Sequence, residues 1–137
     1  MNEPETIAKI LRESRVIAVV GLSDKPERPS YGVAEYLMEK GYRIVPVNPN
    51  IKEWKGLRAY QNITSIPLKV DVVDIFRKSE FVPDVVDEAI AIRAKALWMQ
   101  LGVLNAEAAE KAERAGLLVV MGRCMKIEWT IANLKFD

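Results

Sequence analysis

Lys25, Arg28 and Ser30 stand between an apolar run that ends at Gly21 and an apolar-periodic stretch that begins at Tyr31, within VVGLSDKPERPSYGVAEYL (19–37). Two cations and a hydroxyl between a buried strand and a helix N-terminus suit the binding of an anion. Glycine lets the backbone turn sharply and lets a ligand approach closely. The N–H groups and dipole at a helix start attract negative charge, phosphate above all. Lys25 and Arg28 add formal charge, and Ser30 either caps the helix or donates to a phosphate. Pro26 and Pro29 permit a plainer reading, a surface turn with solvated charges. The dinucleotide fingerprint G-x-G-x-x-G is absent, because Ser23 stands two residues after Gly21.

Four further loops carry candidate groups. PVNPN places Asn48 and Pro49 where NAD enzymes put an acidic residue for the ribose. Asn48 can bond a ribose or base, or serve as a turn residue before Pro49. IFRKSE puts Phe76, Arg77 and Lys78 at the end of an apolar strand, with Ser79 able to cap the helix that follows. LWMQLGV brings Trp98, read as core, then Gln100, a polar residue directly after a buried strand, and Gly102. GRCMKIEW sets Cys124 between Arg123 and Lys126. Cations beside a thiol favour its reactive thiolate, although a lone cysteine is also a common small core residue.

Composition bounds what these groups can do. The 137 residues are half apolar and carry a net charge of +1. That length suits one domain, 1–137, which buries roughly two-thirds of its unfolded surface. A balanced charge means that no global field recruits nucleic acid or membrane, so any anion site is local. There is no histidine, which removes Ser-His-Asp and Cys-His catalysis, phosphohistidine chemistry and most zinc sites. The single cysteine forbids an intramolecular disulfide framework. Residues 1–15 are charged, without a signal-peptide core, and no apolar run reaches spanning length. The expectation is a soluble cytoplasmic protein without a resident metal.

The elements that must position these loops alternate along the chain. Helices are expected at 4–14, 31–40, 81–92 and 106–115, with Ser30 and Asn105 as N-caps and Gly41 and Gly116 as stops. Strands are expected at 16–20, 42–47, 70–76, 95–99 and 117–121, with Pro46 at an end outside the ladder. Residues 50–66, with Gly56 and Tyr60, read as a short helix or turn, and no element is assigned to the tail from 122 to 137. Continuous apolar strands between helices require right-handed crossovers and a parallel sheet covered on both faces. The fold class is therefore α/β, Rossmann-like and doubly wound, with a five-stranded parallel sheet. Ligands of such folds bind at the carboxyl ends of the strands, here loops 21–30, 48–50, 76–80, 100–104 and 122–126.

VIAVVGLSDKPERPSYGVAEYL, GYRIVPVNPN, VDVVDIFRKSE and LWMQLGVLNAEAAEKAERAGLLVVMGRCMKIEW, in this order, resemble the small single-domain coenzyme A-binding proteins. These are related to the CoA-binding domain of the succinyl-CoA synthetase alpha subunit, and the likeness spans about residues 10–129. The resemblance implies strand order 3-2-1-4-5 and a coenzyme A ligand, free or acylated, lying across the strand ends. It further implies that Gly21, Leu22, Ser23, Lys25, Arg28 and Ser30 meet phosphates, that Asn48 and Pro49 lie by the adenosine, and that Phe76, Arg77 and Lys78 line a wall. The synthetase passes phosphate through a histidine and needs a second subunit; this chain has no histidine, so it resembles the binding half without the chemistry. The resulting expectation is a coenzyme A carrier, store, sensor or regulatory subunit rather than an enzyme, with Cys124 a candidate for a mixed disulfide with the CoA thiol. An NAD- or NADP-linked oxidoreductase is the rival reading, as is a scaffold subunit that binds a nucleotide only to brace an interface.

Overall fold

The computed structural model describes residues 1–132. In chain order the elements are α1 (Pro4–Glu13), β1 (Val16–Val20), α2 (Pro29–Glu39), β2 (Arg43–Val47), β3 (Glu53–Trp54), β4 (Leu57–Arg58), β5 (Val72–Ile75), α3 (Val82–Ala91), β6 (Ala96–Met99), α4 (Ala106–Arg114), β7 (Leu118–Met121) and α5 (Met125–Ala132). Of the tail left unassigned by the sequence, 125–132 is helix and 133–137 lies outside the described residues. Among the described residues no helix is long and apolar enough to cross a membrane.

The five long strands pair in parallel as β2-β1-β5-β6-β7. Their alternation feeds two cores. Ala18, Val20, Val73, Ile75, Leu97 and Met99 point to the face covered by α3 and α4. Ile17, Val19, Val72, Ala96, Trp98 and Val120 point to the face covered by α1, α2 and α5. A strand apolar on both sides is stable only between two helical layers, so the continuous runs in the sequence translate directly into the doubly wound sheet.

The strand order needs a correction. Counted along the chain, the five long strands lie 2-1-3-4-5 rather than 3-2-1-4-5, because β5 pairs with β1 and not outside β2. The place outside β2 is held by Tyr60, whose N–H donates to the Pro46 carbonyl while its own carbonyl accepts from Asn48 N–H, both at 2.9 Å. Tyr60 is thus a third strand reduced to one bridge, and when it is counted the expected winding returns. The reduction has a cause in Pro46. It lies inside β2, in register with Val19, and its missing N–H faces the outer edge, where a longer ladder would need a donor. At the opposite edge, the Asn2 side-chain amide donates to Met121 O at 2.8 Å and accepts from Met121 N–H at 2.9 Å.

Gly56 lies in a turn, one of the two alternatives read for 50–66: residues 53–58 are a hairpin with Lys55 and Gly56 both at positive φ in its two-residue turn, and a short 3-10 helix follows at Ile63–Ser65. One local expectation changes. Helix α2 begins at Pro29, the first-turn position proline favours, so Arg28 is the cap residue and Ser30 lies inside the helix. Asn105 does cap α4, accepting from Ala108 N–H at 3.0 Å.

One side chain violates the apolar rule. Asp74 on β5, opposite Val19 and Trp98, is fully buried, and neither of its carboxylate oxygens has a hydrogen-bond partner. Burial raises its pKa well above the ordinary value of 3.8. The folded state therefore holds the proton after the unfolded chain has lost it. Its contribution is fully present below 3.8 and is lost as pH rises toward and through the folded value. Asp74→Asn keeps the shape without the charge. Thermal unfolding at pH 5 and pH 8 is expected to show the variant gaining on the wild type at the higher pH; parallel curves would refute a buried, neutral Asp74.

Candidate functional site

The carboxyl ends of the strands face two cavities, one over each half of the edge. The larger is a groove of about 700 Å³ bordered by the loops after β1, β5, β6 and β7. The smaller, about 100 Å³, lies between the ends of β1 and β2, the segment 61–63 and the start of α3.

The β1–α2 loop enters the groove through Gly21, Ser23, Lys25, Arg28 and Ser30. Gly21 has φ +85° and its N–H donates to Val47 O at 2.8 Å. A Cβ there would stand 2.3 Å from the Phe76 carbonyl oxygen, so only glycine lets the loops after β1 and β5 touch. Ser30, buried in the first turn of α2, accepts from Ser23 N–H at 3.0 Å, and Ser23 Oγ accepts from Lys25 N–H at 3.1 Å. These two bonds curl the loop so that Lys25 and Arg28 stay exposed on it. A hydroxyl that accepts still holds a proton to donate, so Ser30 keeps the capacity to meet an oxyanion.

The β5–α3 loop adds Phe76, Arg77 and Lys78. Arg77 borders both cavities, with its guanidinium 4.7 Å from the centre of the Phe81 ring. Four cations therefore come from the loops over two adjacent strands. Ser79 does not cap α3; its Oγ accepts from Leu104 N–H at 2.9 Å and ties this loop to the one after β6.

Gln100 is buried, and its Oε1 accepts from Met125 N–H at 3.0 Å, which anchors the start of α5 beside the groove. Cys124, half-buried, lines the groove immediately before α5. Its two flanking cations are engaged elsewhere. Arg123 Nη1 pairs with Glu128 at 3.0 Å, and Lys126 Nζ lies 5.0 Å from the centre of the Tyr36 ring. The charge argument made from GRCMK therefore has no support in where these two side chains point. Trp98 is core, as read, with Nε1 donating to Arg123 O at 2.8 Å.

Leu22 and Asn48 line neither cavity. The Asn48 Nδ2 donates to Leu22 O at 3.0 Å and its Oδ1 accepts from Asn50 N–H at 2.9 Å. Asn48 thus clamps the loop after β2 to the loop after β1. Pro49 borders the small cavity together with Asn62, Ile63, Asp84 and Glu88. Burial raises the Glu88 carboxyl above its ordinary value, against the opposing pull of the Ile63 and Thr64 N–H groups. Sequence reading missed Val33 on α2 and Leu101, Val103 and Ile127 of the groove, since isolated apolar residues in a helix, a loop or an unassigned tail carry no motif. It also missed the small cavity's acidic pair, Asp84 and Glu88. Their four-residue spacing on α3 was legible, but their position against segment 61–63 was not.

Comparison with known proteins supplies the family. The model of a CoA binding domain matches residues 15–130. An uncharacterized protein of Bacillus subtilis, YneT, is 40% identical over 127 residues, covering 93% of this chain and 94% of that one. A solved hypothetical protein from Pyrococcus horikoshii superposes with a TM-score of 0.93 at 41% identity, covering 96% and 93% of the two chains. The alpha subunit of the ADP-forming acetate–CoA ligase II of Pyrococcus furiosus is 29% identical over 131 residues, but this chain spans only 29% of its length. With a parallel sheet whose carboxyl edge gathers four cations, and a family model covering most of its length, the chain belongs to the CoA-binding domain family.

Proposed function

We propose that this protein binds coenzyme A across the carboxyl edge of its sheet and serves as a carrier, store, sensor or regulatory subunit for it. The observation that carries the reading is the succession of chemistries along that edge: the small cavity over β2 and β1, the cations over β1 and β5, and the apolar groove over β6 and β7. Coenzyme A has matching parts in matching order, an adenine nucleoside with a 3′-phosphate, a pyrophosphate, and a pantetheine arm that ends in a thiol. In this reading the base lies beside Pro49, the Gly21–Leu22–Ser23 turn and the start of α2 face the phosphates, and Lys25, Arg28, Arg77 and Lys78 neutralise them. Phe76 and Gln100 border the path of pantetheine. A nicotinamide dinucleotide is disfavoured, because Asn48 replaces the acidic ribose partner and spends its side chain on Leu22 and Asn50. Ligase activity is not proposed, since most of the ligase subunit's length has no counterpart in this chain.

A redox link at Cys124 belongs to the same reading. The Cys124 thiolate would attack the disulfide of CoA disulfide; a bond forms from Sγ to one CoA sulfur, and the other CoA leaves as a thiolate that takes up a proton. Holding the ligand in the groove raises the effective concentration of the reacting sulfur.

Three outcomes are expected. CoA raises the melting temperature, and dephospho-CoA, without the 3′-phosphate, raises it less; a larger shift with NAD would overturn the assignment. Arg28→Ala weakens CoA binding by about 1–3 kcal/mol, the range of a charge-assisted hydrogen bond, in isothermal titration. Its melting temperature without ligand is unchanged, because the side chain is exposed; an unaltered affinity would return Arg28 to a solvated charge. After incubation with CoA disulfide, the wild type gains the mass of one CoA and loses it to dithiothreitol, while Cys124→Ser gains none. A wild type that binds CoA yet gains no mass eliminates the redox role alone.

A further inference from the structure

The groove is not uniform, and its asymmetry follows the strand order. Its cations come from the loops over β1 and β5, whereas the loops over β6 and β7 contribute Leu101, Val103 and Ile127. Leu101 is 68% exposed and Ile127 52%. The apolar surface continues past the groove, because Ile131, one turn after Ile127 on α5, is 70% exposed. Leu104, 58% exposed, lies against Gly122 at the end of β7; its Cδ2 is 2.7 Å from where a Cβ on Gly122 would stand. Leu101 and Ile127 thus border one end of a concave site whose other end is cationic, and Leu104 and Ile131 lie outside its lining. Pantetheine, with one gem-dimethyl group, two amides and a small terminal thiol, offers less aliphatic surface than these side chains present. Large exposed apolar groups gathered at one place mark a binding surface rather than chance.

We propose that this apolar end receives the acyl chain of a coenzyme A thioester, and that the preferred ligand is acyl-CoA with an unbranched chain of several carbons rather than free CoA. This rests on the coenzyme A reading above. The cations fix the direction: with the phosphates held over β1 and β5, the thioester end travels toward β6 and β7. Adjacent strands lie about 4.8 Å apart, so about 14 Å separates β1 from β7. The chain beyond the thioester then meets Leu101 and Ile127, with Leu104 and Ile131 beyond them. Cys124 lines the groove from the loop after β7. An acylated sulfur carries no free thiol, so occupancy by the thioester and disulfide exchange at Cys124 are mutually exclusive states of one site.

The test is isothermal titration of the whole chain with CoA and with acetyl-, butyryl-, hexanoyl- and octanoyl-CoA. Complete burial of a methylene is worth about fourfold in affinity, so a chain lying on a half-open surface is expected to gain about twofold per methylene. The ratio of octanoyl-CoA to acetyl-CoA affinity should exceed tenfold in the wild type and fall toward one in Leu101→Ser/Ile127→Ser. Ile131→Ser, outside the groove, should lower the octanoyl-CoA gain and leave acetyl-CoA affinity as it was. A flat series in a protein that still binds CoA overturns the acyl proposal alone. Failure to bind any member overturns the coenzyme A reading itself. A flat series together with a dimer in sedimentation that Leu101→Ser/Ile127→Ser dissolves would assign these residues to self-association and overturn the proposal as well.

Discussion

The contact between Gly21 and the Phe76 carbonyl is the constraint on which the site depends. Two neighbouring parallel strands end together, and the loops that leave them diverge unless something holds them close. Here the absence of one carbon atom does so. A side chain at position 21 would occupy the place of the Phe76 oxygen, and it would also strain a backbone at φ +85°. With the two loops in contact, Lys25 and Arg28 from one and Arg77 and Lys78 from the other border a single groove. Separated by a few ångströms more, the same residues would be two ordinary basic surface turns.

Around this contact, polar side chains fasten the other loops in place. Asn48 ties the loop after β2 to Leu22, Ser30 ties the β1 loop to α2, Ser79 ties the β5 loop to Leu104, and Gln100 ties the β6 loop to α5. The ties of Asn48, Ser79 and Gln100 join neighbours across the carboxyl edge, and with the Gly21–Phe76 contact they brace it from β2 to β7. A site braced in advance loses less conformational entropy when it binds. The protein thus spends its polar residues on posture and leaves its cations exposed for a ligand.

Much of this was legible in the sequence, for physical reasons. Runs such as VIAVV and VDVVDIF have no polar face, which only a covered parallel sheet tolerates, so the fold class followed from them. Gly21, Lys25, Arg28, Arg77 and Gln100 were singled out because a doubly wound sheet puts its ligand loops at the strand ends, and all five line the groove. What escaped were features set by pairing. That β5 pairs with β1 rather than outside β2, whose outer edge Pro46 closes, is not a local signal. Ser30 looked like a cap because its type fits one, but Pro29 starts the helix earlier. Asn48 looked like a ligand group, but its amide is matched to two backbone groups that only the folded chain brings near. Arg123 and Lys126 flank Cys124 in sequence, yet one turns to Glu128 and the other to Tyr36.

The ends of the sheet carry a consequence of a different kind. Exposed strand edges are templates on which another chain can add, and they are a common route to aggregation. This sheet has its outer groups answered by residues that belong to no long strand, Tyr60 beside β2 and the Asn2 side chain beside β7. Each answers with a matched donor and acceptor, as a single residue of a phantom strand would. Pro46 reinforces the first by withholding a donor from any newcomer. Of the two, Tyr60 also adjoins Gln61, which lines the small cavity. A change that loosens Asn2 or Tyr60 would uncover a strand edge, and so threaten colloidal behaviour before it threatened the core.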